Sequence, residues 1–198
     1  MKRLLLILFL LAGTAQAETF GNLAEGASAT VPISYQFNAI YEYNEIPGPG
    51  TVTAAKVKCR TYTDAYDSLI VILYKKEAVL ADCDSVASTG WVDVNQPAAG
   101  WVTLPFTATL EADQVYTIGL IGVTSLANNL RVYSNFIADS GYVRRQLDQY
   151  YPPADLSGTA DNHKNYWSVH IVYTPTGGAV KRHPATIDDW VPEGAYIK

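Results

Sequence analysis

The chain has 198 residues, with 14 Lys+Arg against 19 Asp+Glu and a formal net charge of −5. That length suits one domain large enough to bury a proper core. The acidity argues against nucleic acid and anionic membrane surfaces, both of which recruit basic patches.

Lys2 and Arg3 precede an apolar run from Leu4 to Leu11, and Ala15-Gln16-Ala17 supplies a small-x-small cleavage site. This is the grammar of a secretory signal peptide. The run is too short for a membrane anchor, because eight residues at 1.5 Å each do not cross roughly 30 Å of hydrocarbon. Residues 1–17 are therefore expected to be a cleaved signal, and the protein to be secreted, periplasmic or extracellular. Removing them takes away two basic residues and no acid, leaving 12 against 19, a formal charge of −7. No later segment is long and apolar enough to span a membrane.

From residue 18 onward a period of two dominates, and no stretch shows a convincing 3.6-residue apolar period. Val31, Ile33, Tyr35, Phe37 and Ala39 alternate with mostly polar neighbours. After the turn signal PGPG at 47–50, Ala55, Val57 and Cys59 oppose Lys56, Lys58 and Arg60. SLIVILY (68–74) is apolar on both faces, as a central strand buried twice would be. AVLADCDSV (78–86) alternates again and places Cys83 with Val79 and Ala81. Both cysteines thus sit on apolar-leaning faces. An even pair in an oxidising compartment predicts one disulfide, Cys59–Cys83. Closing that loop of about 25 residues would stabilise the fold by ~3 kcal/mol. A metal or reactive-thiol site has no C-x-x-C and no histidine nearby in sequence to support it.

Further strands are predicted over 101–106, 115–123, 130–136 and 166–174, separated by NQPAAG (95–100), ADSG (138–141) and SGTADN (157–162). If Val92 and Val94 face the core, Trp91 and Asp93 point outward together. If Trp167, Val169 and Ile171 face inward, Tyr166, Ser168 and His170 face out. YVRRQLDQYYPP (142–153) reads as an irregular loop stiffened by Pro152 and Pro153. Its rigid aromatics and planar guanidiniums make Tyr142, Arg144, Arg145, Tyr150 and Tyr151 candidate ligand contacts, with Trp91 and Asp93. In the competing reading the tyrosines cover one open end of the fold, and Trp91 caps the core beside Gly90. About eight short strands between such turns predict an all-β fold, an antiparallel β-sandwich of jelly-roll type in two sheets. The domain would span 18–175. Residues 176–198 would form a linker and C-terminal tail, with Ile187, Trp190, Val191 and Tyr196 as apolar anchors that dock on the same chain or on a partner.

TFGN (19–22), GWVTLPF (100–106), LEADQVYTIGL (110–120) and YWSVHIVYTP (166–175) resemble a loose family of bacterial and phage extracellular β-sandwich modules. The resemblance covers roughly residues 19–175. In that family a Trp-containing strand precedes a Leu-x-Ala-Gly-x-x-Tyr turn and strand. Asp113 here replaces the usual Gly, and Asp tolerates a left-handed turn better than most residues. The resemblance implies an accessory module: carbohydrate-binding, adhesive, or part of a phage surface. It carries no catalytic residues, and the matching Leu110, Tyr116, Ile118 and Leu120 alternate as core.

No G-x-S-x-G, H-E-x-x-H, phosphate loop or EF-hand pattern is present. The three histidines are scattered, and the acidic pairs Asp64/Asp67, Asp82/Asp84 and Asp188/Asp189 read as solvated loop charges. The chain is therefore expected to be a non-enzyme without cofactor or metal, although Asp155 and Asp161 could help hold a structural calcium ion. The expected function is binding of a polysaccharide, glycoconjugate or other extracellular surface ligand. The alternative is a structural protein of an envelope, filament or virus-particle surface, joined to protein partners through the tail.

Overall fold

A computed structural model of the chain describes residues 16–26, 29–32, 36–41, 47–62, 67–76, 83–124, 130–136, 143–147 and 165–177. They form thirteen strands: β1 (Glu18–Gly21), β2 (Ala29–Pro32), β3 (Gln36–Tyr41), β4 (Gly50–Thr61), β5 (Asp67–Lys76), β6 (Cys83–Ser88), β7 (Val92–Val94), β8 (Gly100–Leu110), β9 (Tyr116–Thr124), β10 (Leu130–Phe136), β11 (Val143–Leu147), β12 (Asn165–Trp167) and β13 (Val169–Pro175). Every pairing between them is antiparallel.

Eight of these strands carry the architecture. β1, β13, β4 and β8 lie side by side in the first sheet, and β3, β9, β5 and β6 in the second. Numbered along the chain, the eight run first, eighth, third, sixth in one sheet and second, seventh, fourth, fifth in the other. That interleaving is the doubled Greek key of a jelly roll. The other five strands are additions to the eight that the turn spacing suggests. β10 pairs with the end of β4 and β12 with β10, β2 also pairs with β10, β7 pairs with β5, and β11 flanks β3.

Side-chain alternation explains why these segments are strands. Along β8, Leu104, Phe106, Ala108 and Leu110 are buried while Thr103, Pro105, Thr107 and Thr109 are exposed. β5 lies between β9 and β6, and it is apolar on both faces because both are buried from Leu69 to Tyr74. β4 has a change of phase. Its pairing with β13 sets two steps, Val52 to Ala54, against the single step from Val172 to Tyr173, a β-bulge at Thr53. Val52 faces the core before the bulge; Ala55, Val57 and Cys59 face it afterwards.

Three rings close one end of the core. Phe20 meets Tyr173 edge-on with centroids 6.0 Å apart and Tyr116 at 6.4 Å. Both tyrosine hydroxyls are partnered: Tyr173 donates to Glu18 Oε2, and Tyr116 accepts the Glu111 backbone N–H, each at 2.8 Å. The second bond ties the LEADQVY segment into a turn, where Asp113 adopts φ 58°, the left-handed conformation anticipated for it.

Three expectations are corrected. Asp67, read as part of a solvated acidic pair, lies in β5 and is fully buried. Cys59 is a free, buried thiol rather than half of a Cys59–Cys83 disulfide. It lies on the inner side of β4 opposite Gly100 and Val132 in the first sheet, whereas Cys83 opens β6 of the second sheet, opposite Lys76. Burial pushes the Cys59 thiol up to about 12, so it stays protonated. The 142–153 stretch, read as irregular, contributes strand β11, paired with β3 from Val143↔Ile40 to Leu147↔Gln36. The tail anchors Ile187, Trp190, Val191 and Tyr196 lie outside the described residues.

Candidate ligand-binding face

Because the β4 bulge sets the phase, Lys56, Lys58 and Arg60 project from the outer side of the first sheet, and Tyr62 follows at the strand's end. Alternate residues of a strand stand about 7 Å apart, so the cations form an evenly spaced row. Neighbouring strands bring in the rest. β10 places Arg131 directly opposite Arg60. β8 places Trp101 opposite Lys58, and β13 places His170 opposite Lys56.

Like charges directly opposite on paired strands repel one another. Here the Tyr62 ring takes up both guanidiniums: Cζ of Arg60 lies 4.5 Å from its centroid and Cζ of Arg131 lies 5.1 Å away. Such cation–π contacts are worth about 0.5–2 kcal/mol each, depending on desolvation. Tyr62 remains 47% exposed. Beside it, Lys58 Nζ lies 5.2 Å from the Tyr133 centroid and 3.1 Å from Glu25 Oε2. The Lys58 side chain is 11% exposed and the Glu25 side chain 73% exposed. The ammonium is thus largely desolvated while its carboxylate partner stands in solvent. Arg60 Nε is buried without a hydrogen-bond partner, leaving a desolvated donor on the face.

Glu25 is held in place by a short loop. Asn22 N–H donates to Val169 O at 2.8 Å, and Asn22 Oδ1 accepts from Ala24 N at 2.9 Å. Ser168 is the junction between β12 and β13. Its Oγ donates to Ala24 O at 2.9 Å and accepts from Gly26 N at 3.0 Å. Its backbone N–H meets Tyr133 O, and its carbonyl accepts from Lys58 N. Gly26 packs so closely that a Cβ there would sit 2.8 Å from Ser134 N and O. At the other end of the face, Trp101 and His170 meet edge-on. Burial and the neighbouring Lys56 lower the imidazole to about 4, so it is neutral near pH 7 and the positive charge there comes from Lys and Arg.

Among the described residues, the ligand contacts expected from sequence fall into two separate groups, Trp91 with Asp93 and Arg144 with Arg145. Trp91 is 40% exposed in the β6–β7 connection. Asp93 is exposed too, accepting from Ser68 Oγ at 2.8 Å. The outward pairing of these two side chains is as expected, with Val94 in the core and Val92 packed against it. Arg144 and Arg145 lie in β11, at the opposite edge of the second sheet, with β3, β9 and β5 between. At about 4.8 Å per strand, that separates the two groups by roughly 19 Å. Tyr142, Tyr150 and Tyr151 lie outside the described residues, as do Asp155 and Asp161. Among the described residues no group of three or more His, Cys, Asp or Glu could hold a metal ion.

The outer-face cluster was missed because its parts are far apart in sequence. The signal was K-x-K-x-R-x-Y over 56–62 combined with R-x-Y at 131–133. Both are period-2 repeats that vanish when basic residues are sought as contiguous runs.

No protein-family model matches the chain, and no curated protein matches it either. Among solved structures, a chain from the structure of infectious bursal disease virus Gx strain is similar at 12% identity and a TM-score of 0.27. The similarity covers 84% of this chain and 40% of that one. A likeness at that score carries no argument about function.

Proposed function

We propose that the protein is a secreted, non-catalytic jelly-roll module that binds an extracellular glycan through the outer face of the first sheet. The observation that carries this reading is the row of Lys58, Arg60 and Arg131 interleaved with Tyr62 and Tyr133, beside Trp101, on a chain that is acidic as a whole. Aromatic rings offer flat apolar faces to sugar rings, and the charged fork donors orient hydroxyls or carboxylates. A strand-built face loses little entropy on binding, because its side chains are already held by their neighbours.

The test is a glycan array and polysaccharide pull-down with the purified protein. A Tyr62→Ala/Tyr133→Ala double variant, its fold checked by circular dichroism, runs beside it. Saturable binding that the folded variant loses supports the module. Absence of binding to every glycan rejects it and leaves the structural, partner-joining role as the reading to pursue.

A further inference from the structure

The resident Glu25 indicates what class of glycan this face accepts. Its carboxylate reaches Lys58 from a loop that is otherwise fastened by Ser168, while its own side chain is 73% exposed. It therefore occupies the cation without being part of the packed structure. Resting on the glycan-module reading above, we infer that the ligand is a linear polyuronate, and that Glu25 stands where one of its carboxylates binds, as a built-in competitor.

Three observations support this. First, the cations are spaced regularly along β4, which suits the repeating charges of a linear polymer better than a single anion. Second, the Arg60 guanidinium is held over the exposed Tyr62 ring, and a guanidinium fork matches a carboxylate in two parallel bonds. Third, Tyr62 and Tyr133 border these cations, so the face pairs charge with the ring contacts a pyranose takes. An acidic polypeptide would satisfy the charges but would make less use of the flat aromatic surface.

The experiment is titration calorimetry of the full chain with polygalacturonate and alginate. A highly methyl-esterified polygalacturonate keeps the sugar backbone without most of the charge, and polyglutamate keeps the charge without the sugar. The variants are Arg60→Gln, Glu25→Gln and, as a charge control distant in the fold, Glu111→Gln. We expect a free polyuronate to bind at least tenfold more tightly than the esterified form, weakening steeply with salt. Arg60→Gln should lose tenfold or more, Glu25→Gln should gain several-fold, and Glu111→Gln should match wild type. Equal binding of the acid and ester forms, or an unchanged Glu25→Gln affinity, overturns the inference while leaving a glycan module standing. Polyglutamate binding as tightly as the polyuronates overturns it in favour of an acidic protein partner. No binding of polyuronate also overturns it, and the glycan array then shows whether the module reading fails with it.

Discussion

Trp101 and His170, on strands separated by β4, meet edge-to-face with ring centroids 4.8 Å apart and planes at 65°. The contact seals the imidazole, whose Nδ1 is buried without a hydrogen-bond partner, between the indole and Lys56. Folding lowers this histidine from 6.5 to about 4, so between those values the unfolded chain binds the extra proton. Its contribution is intact above pH 6.5 and is lost as pH falls toward 4, a loss on the order of 2–3 kcal/mol. Urea denaturation from pH 7.5 to 4 should show this slope, and His170→Phe should flatten that part of it. An unchanged slope in a folded His170→Phe variant would rule the imidazole out as its source.

Ser168→Ala should cost about 1–3 kcal/mol, because it leaves the Gly26 N–H and the Ala24 carbonyl without their shared partner. The loss should appear as a lower denaturation midpoint and faster hydrogen exchange at Gly26. A variant within 0.5 kcal/mol of wild type would mean that solvent replaces the hydroxyl at no cost.

Cys59 should resist alkylation in the native protein at pH 8, since its thiol is held protonated by burial. Reductant should leave the melting temperature unchanged. Peptide mapping after iodoacetamide, before and after unfolding, checks the first point. A fall in stability of about 3 kcal/mol on reduction would instead reveal a disulfide.

Asp113 holds a left-handed backbone in the turn closed by Tyr116. Asp113→Gly should be at least as stable as wild type. Asp113→Ala should fall below the glycine variant by about 1 kcal/mol, because a Cβ without a compensating polar group keeps the strain. Equal melting of the two variants would show that the turn relaxes to another conformation.

Much of this architecture could be read from alternation alone. LIVIL announced a strand buried on both faces, and the parity of Trp167, Val169 and Ile171 against Ser168 and His170 placed the first three in the core. Parity went less far with the second pair. Ser168 and His170 do leave the core side, yet both are buried, because the 22–26 loop covers one and Trp101 the other. Those are contacts across more than sixty residues of sequence, and no local pattern encodes them. The meeting of Arg60 with Arg131 is of the same kind. It depends on β10 arriving beside the end of β4, a matter of sheet order rather than composition. The short edge strand β11 escaped notice because Arg, Arg and Gln occupy its centre, and local propensity favours a loop there.

The bulge at Thr53 also determines where this chain can gain or lose a residue. β4 is two half-strands of opposite phase joined by one position of slack. Deleting Thr53 removes the residue that is extra against β13, and plain alternation from Val52 then keeps Lys56, Lys58 and Arg60 on the outer face. Deleting Lys58 would instead rotate the following residues by one face, turning Arg60 toward the core and Cys59 toward solvent. Among relatives of this chain, the position of a gap in β4 would therefore say more about whether the cationic row survives than the identity of the residues around it.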